Sequence, residues 1–251
     1  MAAIIEGSSL KDHAVLITGG ARRVGAEIAR TLHAAGADIL LHYRSSSAAA
    51  AALIEEFNHA RRDSATSVAA DLLDPQAPAR LVAAIDARFG RLDVLINNAS
   101  TFYPTSVGEI TAAAWDELIG INLRAPVFLA QAAAPALARQ RGLILNVVDI
   151  HGLRPLKGYP VYSVAKAGLA MLTRSLAREL GPDVRVNGIA PGPVLWPERA
   201  MDAALKQEIV GKTALKRHGS PADVARTALF LVRDAPYITG QIIAVDGGRS
   251  I

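Results

Sequence analysis

Short runs of Val, Ile and Leu recur along this 251-residue chain, each followed by a longer stretch with helical spacing. Ala14–Ile17, Ile39–His42, Ser67–Ala70, Val94–Asn97, Leu143–Val148, Val184–Ile189 and Gln241–Val245 read as strands. They show little polar alternation, as expected of strands covered on both faces. Gly25–Ala35, Ser47–Ala60, Pro78–Phe89, Ala112–Arg139, Tyr162–Leu180 and Ala222–Val232 read as helices. This alternation predicts an α/β fold: a single doubly wound parallel sheet with helices on both faces, in one domain over residues 1–251. The ligand site of such a sheet lies beyond the carboxyl ends of its strands. Gly, Pro and Asn cluster there, at Gly19-Gly20, Asn97-Asn98 and Pro191-Gly192-Pro193. The segment Pro193–Gly211 is the candidate for a mobile lid, against the plainer reading of a surface excursion.

The first strand runs into Thr18-Gly19-Gly20-Ala21-Arg22-Arg23-Val24-Gly25 and then a helix. Gly19 permits a tight turn, and Gly25 lets the helix approach the strand. The helix start then offers N–H groups to a pyrophosphate. Arg22 and Val24 belong to the same phosphate-facing turn. Arg23 stands where such turns often carry Gly. It sets a permanent cation between phosphates and cleft, or is a solvent-facing helix residue.

The second strand ends in His42-Tyr43-Arg44-Ser45, with no acid to hold a ribose 2′-hydroxyl. Arg44 and the Ser45 hydroxyl suit a 2′-phosphate through charge-assisted hydrogen bonds. The expected cofactor is therefore NADPH, with Tyr43 in the same loop. Asp71, followed by Leu72, can accept a bond from adenine or cap the helix that follows.

Tyr162 and Lys166 stand four apart, so a helix puts both on one face. The ammonium is expected to lower the phenol pKa and make a general acid. Thirteen positions before Tyr162 stands Asp149. A carboxyl group there suits a ring nitrogen that must receive a proton, where a Ser hydroxyl would suit a carbonyl oxygen. Desolvation is expected to raise the pKa of Asp149. The plainer reading of Asp149 is a turn cap.

The pieces Thr18–Gly25, Asn97-Asn98-Ala99, Asn122, Tyr162/Lys166, Pro191-Gly192 and Val245-Asp246-Gly247-Gly248 resemble the short-chain dehydrogenases/reductases, a Rossmann-type family, over nearly the whole chain. Arg23, His42-Tyr43-Arg44-Ser45, the run Asn98–Thr105 and Asp149 further resemble its pteridine reductases. That resemblance implies NADPH-dependent reduction of a pterin or dihydropterin, with dihydrofolate a further candidate. Tyr162 would be the proton donor, supported by Asp149. Lys166 would bind the nicotinamide ribose, and Asn122 would position Lys166, often through water. Asn98, Ala99, Ser100, Pro191 and Gly192 would line the cofactor. Phe102 would stack on the pterin opposite the nicotinamide, within offset-stacking range, unless it is core. Arg23 and Ser100 would touch substrate, and Leu195 and Trp196 would wall the cleft, with oligomer contacts the equal alternative for Trp196. A homotetramer packed through Ala112–Arg139 and Tyr162–Leu180 is also implied.

Other classes fit less well. Lys and Arg exceed Asp and Glu by 27 − 23 = 4, and these residues are scattered, which argues against a nucleic-acid surface. No run approaches about 18 apolar residues, so no membrane span is expected. The chain has no Cys, which fits a cytoplasmic location, and no cluster with metal-ligand spacing, so no metal is expected. A 3-ketoacyl-type carbonyl reductase is the alternative enzyme. A non-catalytic NADPH sensor is a remoter one, set against the intact Asn122, Tyr162 and Lys166.

Overall fold

A computed structural model describes residues 9–196 and 201–251. Seven strands form one sheet: β1 (Ala14–Ile17), β2 (Asp38–Tyr43), β3 (Ala65–Ala69), β4 (Val94–Asn97), β5 (Leu143–Val147), β6 (Arg185–Pro191) and β7 (Ile242–Val245). Their spatial order is β3-β2-β1-β4-β5-β6-β7, and every neighbouring pair is parallel. The expected doubly wound parallel sheet is therefore the observed one. The order reverses direction between β1 and β4, where Val15 registers with Val94 and Ile17 with Ile96. A crevice opens at that reversal because the flanking connections leave to opposite faces.

Successive side chains of each strand feed opposite layers. Val15 and Ile17 join Ile39, Leu41, Val94 and Ile96 in one core, covered by α1 (Arg23–Ala34), α2 (Ser47–Ala60) and α8 (Pro221–Arg233). Leu16, Leu40, Leu95 and Ile144 enter the other, under α3 (Ala77–Phe89) and α5 (Ala125–Gln140). The long α6 (Pro160–Glu179) closes that face. Its Ala177 is buried there, while its Leu169 and Ala170 pack with Val148 and Ile150 after β5. The start of α8 is fixed by a reciprocal cap, Ser220 with Asp223, and by Pro221 in its first turn. No helix among the described residues is long and apolar enough to cross a membrane.

The expected single helix Ala112–Arg139 is interrupted. It comprises α4 (Ala112–Ile119), a π turn over Gly120–Arg124, and α5. The Asn122 amide donates to the Leu118 carbonyl, 2.9 Å away and four residues back. A side chain that takes the carbonyl of the preceding turn competes with the α ladder, and the wider turn accommodates it. The expected lid Pro193–Gly211 includes residues 197–200, which lie outside the described residues. Its described part contains α7 (Ala203–Gly211), where the sequence suggested only an amphipathic stretch.

Buried amides bind the middle of the sheet to α6. Asn97 donates to Asn146 Oδ1 (2.8 Å), and Asn146 donates to Thr173 Oγ1 (2.9 Å). All three side chains are buried. Asn146→Ala strands the Asn97 amide and is expected to cost about 2 kcal/mol. Urea unfolding should show a lower midpoint with an unchanged slope. A midpoint equal to the wild type would show that this amide chain contributes nothing net.

Candidate functional site

The crevice end of β1 is built for close approach. Gly19 has φ of 61°, and a Cβ on it would lie 2.9 Å from the Ala99 Cα. A Cβ on Gly25 would meet Asn98 Nδ2 and the Gly19 carbonyl, both at 2.5 Å. No side chain would fit at either position, so the backbone of this turn is left bare at the start of α1. The N-cap residue Arg22 makes no side-chain cap bond to α1, and the first turn carries no acid. Exposed N–H groups at an uncapped helix start suit a pyrophosphate. The residues present therefore fit a dinucleotide.

Asn98 and Thr18 lock that turn to β4. Asn98 Nδ2 donates to the Thr18 carbonyl at 2.9 Å and the Gly19 carbonyl at 3.0 Å. Thr18 Oγ1 in turn accepts from the Asn98 and Ala99 N–H groups. His42 adds a strut that sequence reading missed. Its Nδ1 accepts from the Gly19 N–H at 3.2 Å, so Nε2 carries the proton that goes to the Ala70 carbonyl at 3.0 Å. Burial pushes this imidazole below its usual pKa, although the bond to Ala70 and the nearby Asp71 pull it up. Its place among apolar β2 residues was the one available signal.

The remaining expected cofactor residues sit around this crevice. Arg22 and Arg23 are exposed and Val24 is half-buried. Arg23 adopts φ of 56°, the left-handed conformation that favours Gly, and donates to the Trp196 carbonyl at 3.4 Å. Tyr43 closes β2, and Arg44 and Ser45 follow it, exposed. Asp71 accepts from the Leu73 N–H at 2.9 Å, so one oxygen caps its own turn rather than helix α3; Leu72 is buried. Pro191 ends β6, and a Cβ on Gly192 would lie 2.5 Å from the Asp246 Cβ.

Three of the expected catalytic residues, Asp149, Tyr162 and Lys166, come together on the loop after β5 and on α6, while Asn122 lies on the π turn. Asp149 begins a single 3-10 turn and accepts from the His151 N–H at 2.8 Å through Oδ1. Its other oxygen accepts from the Tyr162 hydroxyl at 2.7 Å. Asp149 thus caps its own turn with one oxygen and bonds Tyr162 with the other. Gly152 seats the loop on α6, since a Cβ there would lie 2.7 Å from the backbone of Lys166.

Lys166 is buried, donates to the Val147 carbonyl at 2.9 Å, and stands 5.8 Å from the centre of the Tyr162 ring. Desolvation lowers its pKa to about 8, against the pull of Asp149. The expected lowering of the Tyr162 pKa is not found. The phenol is pushed well above its ordinary value, first by burial and then by the Asp149 carboxylate, with Ser100 opposing. Desolvation and a like-signed neighbour outweigh the nearby ammonium.

Asn122 does not bond Lys166 through its side chain. Its amide donates to the carbonyls of Thr101 and Leu118, both at 2.9 Å, and its oxygen accepts from the Ser100 hydroxyl at 2.6 Å. It therefore anchors the loop after β4. That loop presents Phe102, 48% exposed, as a wall rather than as core. Phe102 stacks on Tyr159 with centroids 4.6 Å apart and meets Tyr162 edge-on at 4.8 Å. Tyr159 was not foreseen; an aromatic immediately before the Pro160 helix start was the signal. Leu195 and Trp196 are half-buried, and Trp196 stacks on His218 at 4.1 Å.

The comparisons agree with this geometry. A family model described as enoyl-(acyl carrier protein) reductase matches residues 19–250. The chain is 40% identical to pteridine reductase 1 of Leishmania tarentolae, over 94% of this chain and 96% of that protein. It is 35% identical to a 3-oxoacyl-(acyl-carrier-protein) reductase of Staphylococcus aureus, over 93% of this chain and 96% of that one. The crystal structure of a blue fluorescent protein from a metagenomic library, in complex with NADPH, superposes with a TM-score of 0.91 at 34% identity, covering 97% of this chain and 100% of that one. The chain belongs to the short-chain dehydrogenase/reductase family, and it is an oxidoreductase of that family.

The state of Lys166 is open to a direct test. A lysine whose folded pKa lies below its unfolded value of about 10.4 costs stability while it is charged. That cost is full below about pH 8 and fades as pH rises from there to about 10.4. The melting temperature of the wild type relative to Lys166→Met should therefore rise between pH 8 and pH 10. A difference that stays constant over that range would refute the depressed pKa.

Proposed function

We propose that the protein is an NADPH-dependent pteridine reductase, acting on a dihydropterin or pterin, with dihydrofolate as a further substrate. The observation that carries this reading is the 2.7 Å hydrogen bond from Tyr162 to a carboxylate, Asp149. The 40% identity to pteridine reductase 1 supports it.

In this reading the start of α1 and the Gly19–Gly25 turn hold the pyrophosphate, with Arg22, Arg23 and Val24 beside it. Arg44 and Ser45 hold the 2′-phosphate, with Tyr43 adjoining. Asp71 and Leu72 border the adenine. Asn98, Ala99 and Ser100 line the middle of the cofactor, Lys166 binds the nicotinamide ribose, and Pro191 and Gly192 border the nicotinamide. When bound, the dihydronicotinamide supplies a hydride to the substrate.

The chain itself must supply the accompanying proton. With its pKa raised, Tyr162 keeps its proton at neutral pH, and Asp149 Oδ2 fixes its direction. Protonation of Asp149 reverses that hydrogen bond. The Asp149 hydroxyl then donates to Tyr162 Oη, and the Tyr162 proton turns toward a substrate ring nitrogen. Two oxygens thus pass one proton, which a Ser at position 149 could not renew as an acid. Phe102 and Tyr159 form an aromatic wall suited to a flat heterocycle, for which offset stacking adds about 0.5–1.5 kcal/mol. Arg23 and Ser100 would reach the substrate edge, with Leu195 and Trp196 bordering its far side. A homotetramer belongs to the same proposal, supported by exposed Phe128 on α5 and Val164 and Met171 on α6.

NADPH oxidation should be measured with dihydrobiopterin, dihydromonapterin, dihydrofolate and a 3-ketoacyl substrate. Turnover is expected with a pterin, and Asp149→Ser should reduce it by about 100-fold or more, the scale of one acid–base group. Turnover of the ketoacyl substrate alone, or a pterin rate indifferent to Asp149→Ser, would sink the proposal.

A further inference from the structure

Glu117 has no part in the roles assigned so far, yet its carboxylate spans two of them. It lies on α4, three residues before the π turn begins. One oxygen stands 3.9 Å from the Arg44 guanidinium. The other accepts from the Tyr103 hydroxyl at 3.1 Å. Tyr103 follows Phe102, and its hydroxyl also reaches the Ala114 carbonyl at 3.4 Å. The loop after β4 is thus held at both ends: Asn122 grips Ser100 and Thr101, and Glu117 grips Tyr103.

We propose that Glu117 is a specificity-determining residue, whose carboxylate competes with the 2′-phosphate of the cofactor for Arg44 while it holds the substrate loop through Tyr103. This rests on the NADPH reading of Arg44. Arg44 is exposed, and its guanidinium has no other ion pair among the described residues. A phosphate that engages it there is met by the negative charge of Glu117 on the same cation. Like charges sharing one partner repel, so Glu117 weakens recognition of the 2′-phosphate and leaves a cofactor without that phosphate unaffected. A phosphate that draws Arg44 away leaves the carboxylate wholly to Tyr103. Nucleotide choice and the substrate wall thereby meet at one side chain.

The test is nucleotide affinity in the absence of substrate, read from the fluorescence of bound NADPH and NADH. Glu117→Gln keeps an oxygen for Tyr103 and removes the charge. It should tighten NADPH by about two- to five-fold, the range for a partly screened charge at this distance, and leave NADH unchanged. The gain should shrink at high salt. Tyr103→Phe keeps the charge and releases the loop, so both nucleotide affinities should stay as in the wild type while the pterin KM rises. A Glu117→Gln variant that shifts both nucleotides alike, or neither, overturns the proposal. Wild-type protein that binds the two nucleotides equally overturns the reading of Arg44, and the proposal with it. Absence of pterin turnover beside a selective NADPH shift would leave Glu117 as proposed and remove only the pterin assignment.

Discussion

The pairing of β1 with β4 is the constraint on which the other arrangements depend. Those strands are neighbours in space but are separated in the chain by β2, β3 and three helices. Their carboxyl ends therefore bring a Gly-rich turn and an Asn-Ala pair against each other without direct chain connection. Asn98 donates into the turn and Thr18 accepts back, so each loop shapes the other. Gly19 and Gly25 are forced by this proximity, since a methyl group at either would strike the opposing segment.

Charge burial organises the second half of the site. Lys166, Tyr162 and Asp149 share a region where solvent is scarce. Lys166 and Tyr162 respond to that first and to the Asp149 carboxylate second. The ammonium becomes a weaker base and the phenol a weaker acid. Tyr162 alone is thus a reluctant donor, which gives its bond to Asp149 a reason to exist. Solvent reaches the phenol poorly, as its 3% exposure indicates, so the Asp149 carboxylate is the polar partner that fixes its hydroxyl.

Much of this was legible in the sequence because period and punctuation act locally. Unalternated runs marked strands covered on both faces, and Gly, Pro and Asn marked their carboxyl ends. The spacing from Asp149 to Tyr162 to Lys166 was readable because a helix fixes which residues share a face. The π turn was not readable: Gly120 and Asn122 are weak helix formers but do not specify a wide turn, which follows from the Asn122 amide taking the Leu118 carbonyl. The direction of the Tyr162 pKa was missed for a similar reason. Burial is a tertiary quantity, and the pair considered alone gives the opposite sign. The strut role of His42 and the wall role of Tyr159 escaped notice because each resembles an ordinary member of its element until the fold supplies a partner.

The π turn also acts as a register device. An α-helix advances about 100° per residue, so one additional residue accommodated in a wide turn rotates all that follows relative to all that precedes. Upstream, α4 aims Glu117 at Arg44 and Tyr103. Downstream, α5 buries Leu129, Ala133 and Leu137 against the sheet. A straight helix through the same residues could satisfy one of these orientations but would swing the other away by more than a quarter turn. The deformation thus lets a single length of chain serve two masters, the hydrophobic layer and the crevice. Insertions or deletions between residues 118 and 126 would be felt at both ends of the helix pair, even where they leave every named side chain in place.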